Sequence, residues 1–369
     1  MSEQFSKFNE LPENEFDKVN PSSAEVPNPI DLTAEEDQSL IDVLQRAREA
    51  EKAGDHQSAA ALYGQYKDEY KRIKQEKLGG ELGEKIGLLE QYQSQLQILE
   101  TAGVLQELSD GTKGIVGIDN KEYSIPTFEE IQSRITPEKA AILEKKQEQG
   151  FSKLLVVPFG MKLDDLIGKY RELLLKKDSE GKLLATDGSK LDLDRNQAVW
   201  MWSEYNQADI NGKLVYDPQS FDENHQGKTK QELINRGSPW RVELIEDCPD
   251  LPAEGGGKTV GDRPQLEANQ SSNDYLNTIK TNPDYTGEKG LDPESWLTYA
   301  ITSLEEGKGQ IDDYQGQGKI SFLTGAYFTG SVNVPLAYWS RVGRRAYLGG
   351  SAPSGSASDL GCRSSVEIQ

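Results

Sequence analysis

The chain has 369 residues, enough for two domains and a sizeable core, and its net charge of −21 makes it a poor partner for a phosphate backbone. Two cysteines, Cys248 and Cys362, exclude a four-cysteine metal site and a disulfide framework, leaving two free thiols or one bridge. No run approaches the ~20 apolar residues of a membrane span, and the start, Met1-Ser-Glu-Gln-Phe-Ser-Lys7, lacks the basic and apolar stretches of an export signal, so a cytoplasmic location is the expectation.

Residues 1–32 place Pro12, Pro21, Pro27 and Pro29 among acidic and polar residues, a composition that buries too little to offset the entropy of ordering. A disordered tail is expected, with Phe5, Phe8 and Phe16 as the only features resembling a docking motif. Thr33-Ala-Glu-Glu36 then forms a capping box, and Leu40, Ile41, Val43, Leu44 and Ala47 follow at helical spacing. Gly54-Asp55 and Gly79-Gly80 break the pattern. The runs between and after them, Ala59 to Tyr70 and Ile86 to about Leu108, predict two further helices. Residues 33–109 thus read as a helical hairpin or bundle, close to a coiled coil, suited to self-association. Ala50 to Tyr63 looks like one tetratricopeptide unit, but without a second copy to stack on it is read as a plain helical hairpin. His56 has no second ligand near it in the sequence.

A joining section spans 110–150. Asp119-Asn120 between Gly114–Ile118 and Lys121–Ile125 predicts a hairpin turn, Thr127–Glu130 a second capping box, and Thr136-Pro137 a helix start that Gly150 ends. From Phe151 the texture changes. Leu154–Phe159 and Trp240–Ile245 read as strands, Leu163–Leu175 as an amphipathic helix, and Asp292-Pro293 as the cap of a helix with Trp296, Leu297, Ala300, Ile301 and Leu304 on one face. All five tryptophans follow residue 199. The fold class expected is α+β: the helical module, the joining section, and an irregular domain over 151–369.

Several patterns suggest chemistry and fall short of it. Gly255-Gly-Gly-Lys-Thr259 resembles a phosphate loop, but Pro252 stands where the pattern needs glycine, and Gly261 and Pro264 block the following helix. Only His56 and His225 are available for acid–base work, so a dyad of His225 with Cys248 or Cys362 would have to join distant segments. Asp312-Asp313 and Asp192/Asp194 are expected to cap turns or solvate loops and not to hold calcium. No catalytic residue, cofactor or metal is assigned.

The last fifty residues differ. Lys319, Arg341, Arg344, Arg345 and Arg363 against Asp359 and Glu367 leave residues 319–369 at +3, so the first 318 carry −24. Tyr, Trp and Arg alternate here with Ser, Gly and Ala, which is the composition of binding surfaces: large anchors among small adaptable residues. The candidate ligand-binding residues are Leu336, Tyr338, Ser340, Val342, Gly343, Arg345, Tyr347, Gly349, Ala352, Ser354, Ser356 and Ser358.

The stretches Gly325-Ala-Tyr-Phe328, Val334-Pro-Leu-Ala-Tyr-Trp-Ser-Arg341, Leu348-Gly-Gly-Ser351 and the closing Leu360-Gly-Cys-Arg-Ser-Ser-Val-Glu-Ile368 carry a resemblance. They look like the end of a C-type-lectin-type domain of the formylglycine-generating-enzyme-like (sulfatase-modifying-factor) superfamily. The variable proteins of diversity-generating retroelements use the same arrangement, with their hypervariable segment at the C-terminus. Val157-Pro-Phe-Gly-Met-Lys-Leu163, Asn224 to Leu233 and Ile311 to Lys319 also resemble an uncharacterised bacterial family with no assigned activity. The resemblance implies a receptor-like protein that binds a protein or glycan through a surface at 334–360 open to diversification. The enzymes of the superfamily hold copper with a late cysteine pair; this chain has only Cys362 there, so no catalytic residue carries over. A copper-dependent oxidoreductase and a structural coiled-coil protein are the alternatives.

Overall fold

The computed structural model describes residues 34–85 and 87–368. The N-terminal tail with its three phenylalanines, and Thr33 of the first capping box, lie outside the described residues. The chain divides into two compact units, one ending at Lys77 and the other starting at Leu78.

In the first unit, a helix over Ala34–Lys52 turns through Gly54, at φ +79°, into a helix over His56–Lys85 that continues past the unit's end at Lys77. Asp55 caps the second helix by accepting the Ser58 amide at 3.1 Å. Leu40, Val43 and Leu44 pack against Tyr66 and Ile73. Gly79-Gly80 does not end the helix. Each helical glycine costs about 1 kcal/mol relative to alanine, which a long helix tolerates, and the chain turns only at Gly87, φ +60°.

The second unit mixes helix and sheet, an α+β fold. Its boundary differs from the expected division at 109 and 150. The helix Leu88–Thr101 belongs to the main core, because Leu88, Tyr92 and Leu99 are buried with the strand Phe151–Val157. That helix ends seven residues earlier than expected, where Gly103 adopts φ +69°. Its polar residues also serve the strand's outer edge. Gln91 accepts the Leu154 amide at 2.8 Å and donates to the Ser152 carbonyl at 3.0 Å, so a strand that would otherwise end the sheet unpaired is covered.

Phe151–Val157 is the outer strand of a four-stranded antiparallel sheet, followed in order by Arg241–Glu246, Ser364–Glu367 and Glu288–Gly290. The larger sheet runs Leu360–Cys362, Ile320–Phe322, Val334–Ser340, Arg345–Ser351 and Val199–Met201, with Asp313–Tyr314 beside Val334–Ser340. Asp292 accepts the Ser295 amide at 2.8 Å and caps the helix Pro293–Glu305. This helix was expected to bury one face. Every residue from Pro293 to Leu304 is buried, so it is the central element of the core. Two of its hydroxyls fold back onto the helix: Thr298 and Thr302 donate to the carbonyls four residues back, each at 2.8 Å.

One carboxylate ties this helix to the chain's end. Asp312 accepts from Trp296 Nε1 at 2.8 Å and from Arg363 Nη2 at 2.5 Å, while its carbonyl accepts the Trp339 amide at 2.9 Å. Asp312 and Asp313 are therefore buried ion-pair members, not turn caps in solvent: Arg341 Nε meets Asp313 at 2.8 Å. A buried carboxylate this close to a guanidinium is costly to strand. Arg363→Ala is expected to lower unfolding free energy by about 3–5 kcal/mol, measured by urea titration; a loss under about 1 kcal/mol would show that Asp312 finds water instead.

Candidate functional site

The hairpin Val334–Ser340 and Arg345–Ser351 pairs Leu336 with Gly349, Tyr338 with Tyr347 and Ser340 with Arg345. Side chains alternate across a strand. Ala337, Trp339, Ala346 and Leu348 therefore face the main core, and the other set faces outward. Part of that outward face is covered. Leu336 joins Phe322, Val334, Tyr275 and Ile279 in a second apolar cluster under the helix Ser272–Thr281.

This divides the candidate residues. Leu336, Ser340 and Gly349 are buried and do not meet solvent as expected. The second cluster covers Leu336, and Ser340 turns its hydroxyl to the Gly343 amide at 2.9 Å. Tyr338, Gly343, Arg345 and Tyr347 are half-buried. Val342, at the hairpin tip, and Ala352, Ser354, Ser356 and Ser358 are exposed. The Ser/Gly tract is turned and pinned: Pro353 accepts the Asn273 amide at 3.1 Å, and Ala352 accepts that of Gly355 at 2.9 Å.

The open part carries a row of aromatic rings. Tyr338 and Tyr347 stack with centroids 5.2 Å apart and planes 16° from parallel. Trp200 extends the row on one side, 4.9 Å from Tyr347, and Tyr314 on the other, 5.5 Å from Tyr338 and at 85° to it. Burial, helped by Tyr347, Tyr314 and Asp359, pushes the Tyr338 hydroxyl up to about 12, so it stays a proton donor throughout the neutral range. Interaction with Asp359 raises the Tyr314 hydroxyl also.

Trp200 and Tyr314 were absent from the candidates because they enter from strands distant in sequence. A local signal exists in hindsight at Gly349-Gly350. A Cβ at Gly350 would lie 2.5 Å from the Trp202 ring, so the pair marks a close approach by large side chains without naming them. The arginines are less available than their types suggested. Arg341 pairs with Asp313, while Arg345 bonds Gln197 and lies 3.6 Å from Asp194.

His225 and the two cysteines, the groups a dyad would need, have structural partners. His225 Nδ1 accepts the Gly227 amide at 2.9 Å, Cys248 Sγ donates to the Asp250 carbonyl at 3.0 Å, and Cys362 Sγ lies 3.2 Å from Thr324 Oγ1. Burial pushes the Cys362 thiol up to about 12. Among the described residues no three His, Cys, Asp or Glu side chains gather as a metal-binding group. Glu267 accepts the Gly255 and Gly257 amides at 2.7 and 2.8 Å, so a carboxylate occupies the position a phosphate would take. Among the described residues no helix is long and apolar enough to cross a membrane. Comparison with protein-family models, with characterised proteins and with solved structures finds no match.

A second polar cluster, which sequence reading missed, is sealed in the core. Lys230 lies 2.7 Å from Asp209 and 2.6 Å from Glu294, and the Tyr216 hydroxyl donates to Glu294 at 2.8 Å. Lys230, Asp209 and Glu294 are all at most 2% exposed, so no substrate reaches them. One ammonium balances one carboxylate, and burial pushes the other, Glu294, up to about 7 against the pull of Lys230. A carboxyl group held above its unfolded value of 4.5 adds stability below that pH, and the contribution is lost as pH rises toward 7. Wild-type stability should therefore fall between pH 4.5 and 7 relative to Glu294→Gln, by on the order of 2–3 kcal/mol. Urea titrations of both proteins at pH 5 and pH 7.5 check this; parallel pH slopes would refute it.

Proposed function

We propose that the chain is a non-catalytic ligand-binding protein whose second unit is a variant of the C-type-lectin-type α+β fold. Two features support the fold reading. Phe151–Val157 and the final strand of the unit, Ser364–Glu367, flank the same strand, Arg241–Glu246. The terminal hairpin lies in a separate sheet. The receptor reading rests on one observation: the Trp200–Tyr347–Tyr338–Tyr314 row, half-buried and fastened to strands that are packed on their other face.

Recognition here means burying ring area that is already ordered. Tyrosines held by stacking on a sheet lose few rotamers when a partner arrives, and that reduces the entropic cost of association. The ligand is a protein or a glycan, and the exposed positions Val342, Ala352, Ser354, Ser356 and Ser358 form the adaptable rim. The helical hairpin of the first unit serves self-association.

Peptides selected from a display library on the wild-type protein, together with a neutral-glycan array, test this. Binders are expected to lose at least about tenfold in affinity toward a Tyr338→Ala/Tyr347→Ala variant, the scale of a truncated interface anchor. Near-UV circular dichroism should show the fold retained. Undiminished binding to the folded variant would move the receptor face elsewhere.

A further inference from the structure

A groove of about 280 Å³ opens where the short hairpin Thr259–Val260 and Arg263–Pro264 meets the helix Ser272–Thr281. It shares no residue with the aromatic row. Pro264, Leu266 and Tyr285 give it an apolar side, and Lys258, Gln270 and Thr278 a polar one.

The walls are braced from within. The Tyr285 hydroxyl donates to the Pro264 carbonyl at 2.9 Å, and Gln265 accepts the Lys258 amide at 3.0 Å while donating to Glu246 at 3.2 Å. Glu267, which also lines the groove, is engaged by the Gly255 and Gly257 amides. Lys258, Gln270 and Thr278 differ. Among the described residues none of their side chains has a hydrogen bond or an ion pair, and none of the three is buried.

Braced walls with unengaged polar groups make a preformed site for a small polar molecule. The groups set its class. The Lys258 ammonium calls for an anion. The Gln270 carboxamide and the Thr278 hydroxyl each donate and accept, which suits hydroxyl groups. The Glu267 carboxylate repels a second negative charge on the ligand, which favours a monocarboxylate over phosphate.

We propose that this groove binds a small hydroxylated monocarboxylate, with Lys258 taking the carboxylate and Gln270 and Thr278 the hydroxyls. The site is separate from the receptor face, and neither reading depends on the other. The net charge of −21 does not prevent anion binding here. At physiological ionic strength that field is screened over about 8 Å, so an ammonium in contact dominates.

The test titrates the full chain at physiological salt with gluconate, sorbitol, hexanoate and inorganic phosphate, read by calorimetry. The first three share one carbon-chain length and differ in carrying both carboxylate and hydroxyls, hydroxyls alone or carboxylate alone. Gluconate is expected to bind at least about tenfold more tightly than each of the other three. Lys258→Gln, at an exposed position, should weaken gluconate about tenfold or more, toward the level of sorbitol. Thr278→Val should weaken gluconate and leave hexanoate unchanged. Lys67→Gln, exposed in the first unit, controls for net charge and should leave binding as in the wild type. Near-UV circular dichroism confirms that the variants fold. No gluconate binding by the folded wild type, equal affinities for gluconate and sorbitol, or equal losses in Lys258→Gln and Lys67→Gln would overturn the proposal. Phosphate binding more tightly than gluconate, and lost in Lys258→Gln, would overturn the carboxylate assignment and make the groove a phosphate seat.

Discussion

The structure turns on the burial of Asp312. A carboxylate in a core is tolerated only when its charge and lone pairs are all used. Here Arg363 supplies the charge and Trp296 a second donor, while the backbone of the same residue holds Trp339 on one side and Pro249 on the other. These four partners belong to the final strand region, the central helix, the terminal hairpin and the loop after Glu246. The backbone at Asp312 is left-handed, φ +52°, a conformation that Asp accepts more readily than most residues. That turn brings Asp313 to Arg341 and Tyr314 to the aromatic row. The outward display of Tyr314 thus depends on an inward charge.

The same logic explains why the interior holds so many charges. Lys230 with Asp209 and Glu294, and Arg241 with Asp292, surround the first turn of the central helix. A helix buried on every side needs its unpaired amides and its own acidic residues satisfied by protein instead of water. Phe159 and Tyr216 line the cluster, with the Arg241 guanidinium 4.0 Å from the Phe159 centroid. Such a network is expensive to break and holds the helix in one arrangement.

Local signals in the sequence were reliable where the physics is local. The capping boxes at Thr127 and Thr229, the proline starts at Thr136-Pro137 and Asp292-Pro293, and the amphipathic helix from Leu163 form through contacts within a few residues. Thr229 was the one not noted, although Thr229 to Glu232 has the spacing. Non-local features were not legible. Gly79-Gly80 reads as a stop by propensity alone, and the central helix reads as amphipathic because its polar residues include Thr298 and Thr302, whose hydroxyls fold back onto the helix. The candidate surface was half legible. Composition located Tyr338 and Tyr347, but Trp200 and Tyr314 arrive by parallel pairing of distant strands, a relation that leaves no short-range trace.

The hairpin also limits how its surface can change. A Cβ at Gly343 would come 2.9 Å from the Tyr347 ring and displace the row, while one at Gly350 would displace Trp202, which packs against the core. Leu336 is committed to the second apolar cluster and Ser340 to the turn. Freedom remains at Tyr338 and Tyr347, at the tip around Val342, and at the exposed alternate positions from Ala352 to Ser358. Substitutions at these positions would alter what the surface meets, while the Asp312 hub and the core-facing Trp339 and Leu348 keep the strands in register. A segment rich in Tyr, Ser and Gly can thus combine a stiff frame with a changeable face because strand alternation sends the two requirements to opposite sides of the same sheet.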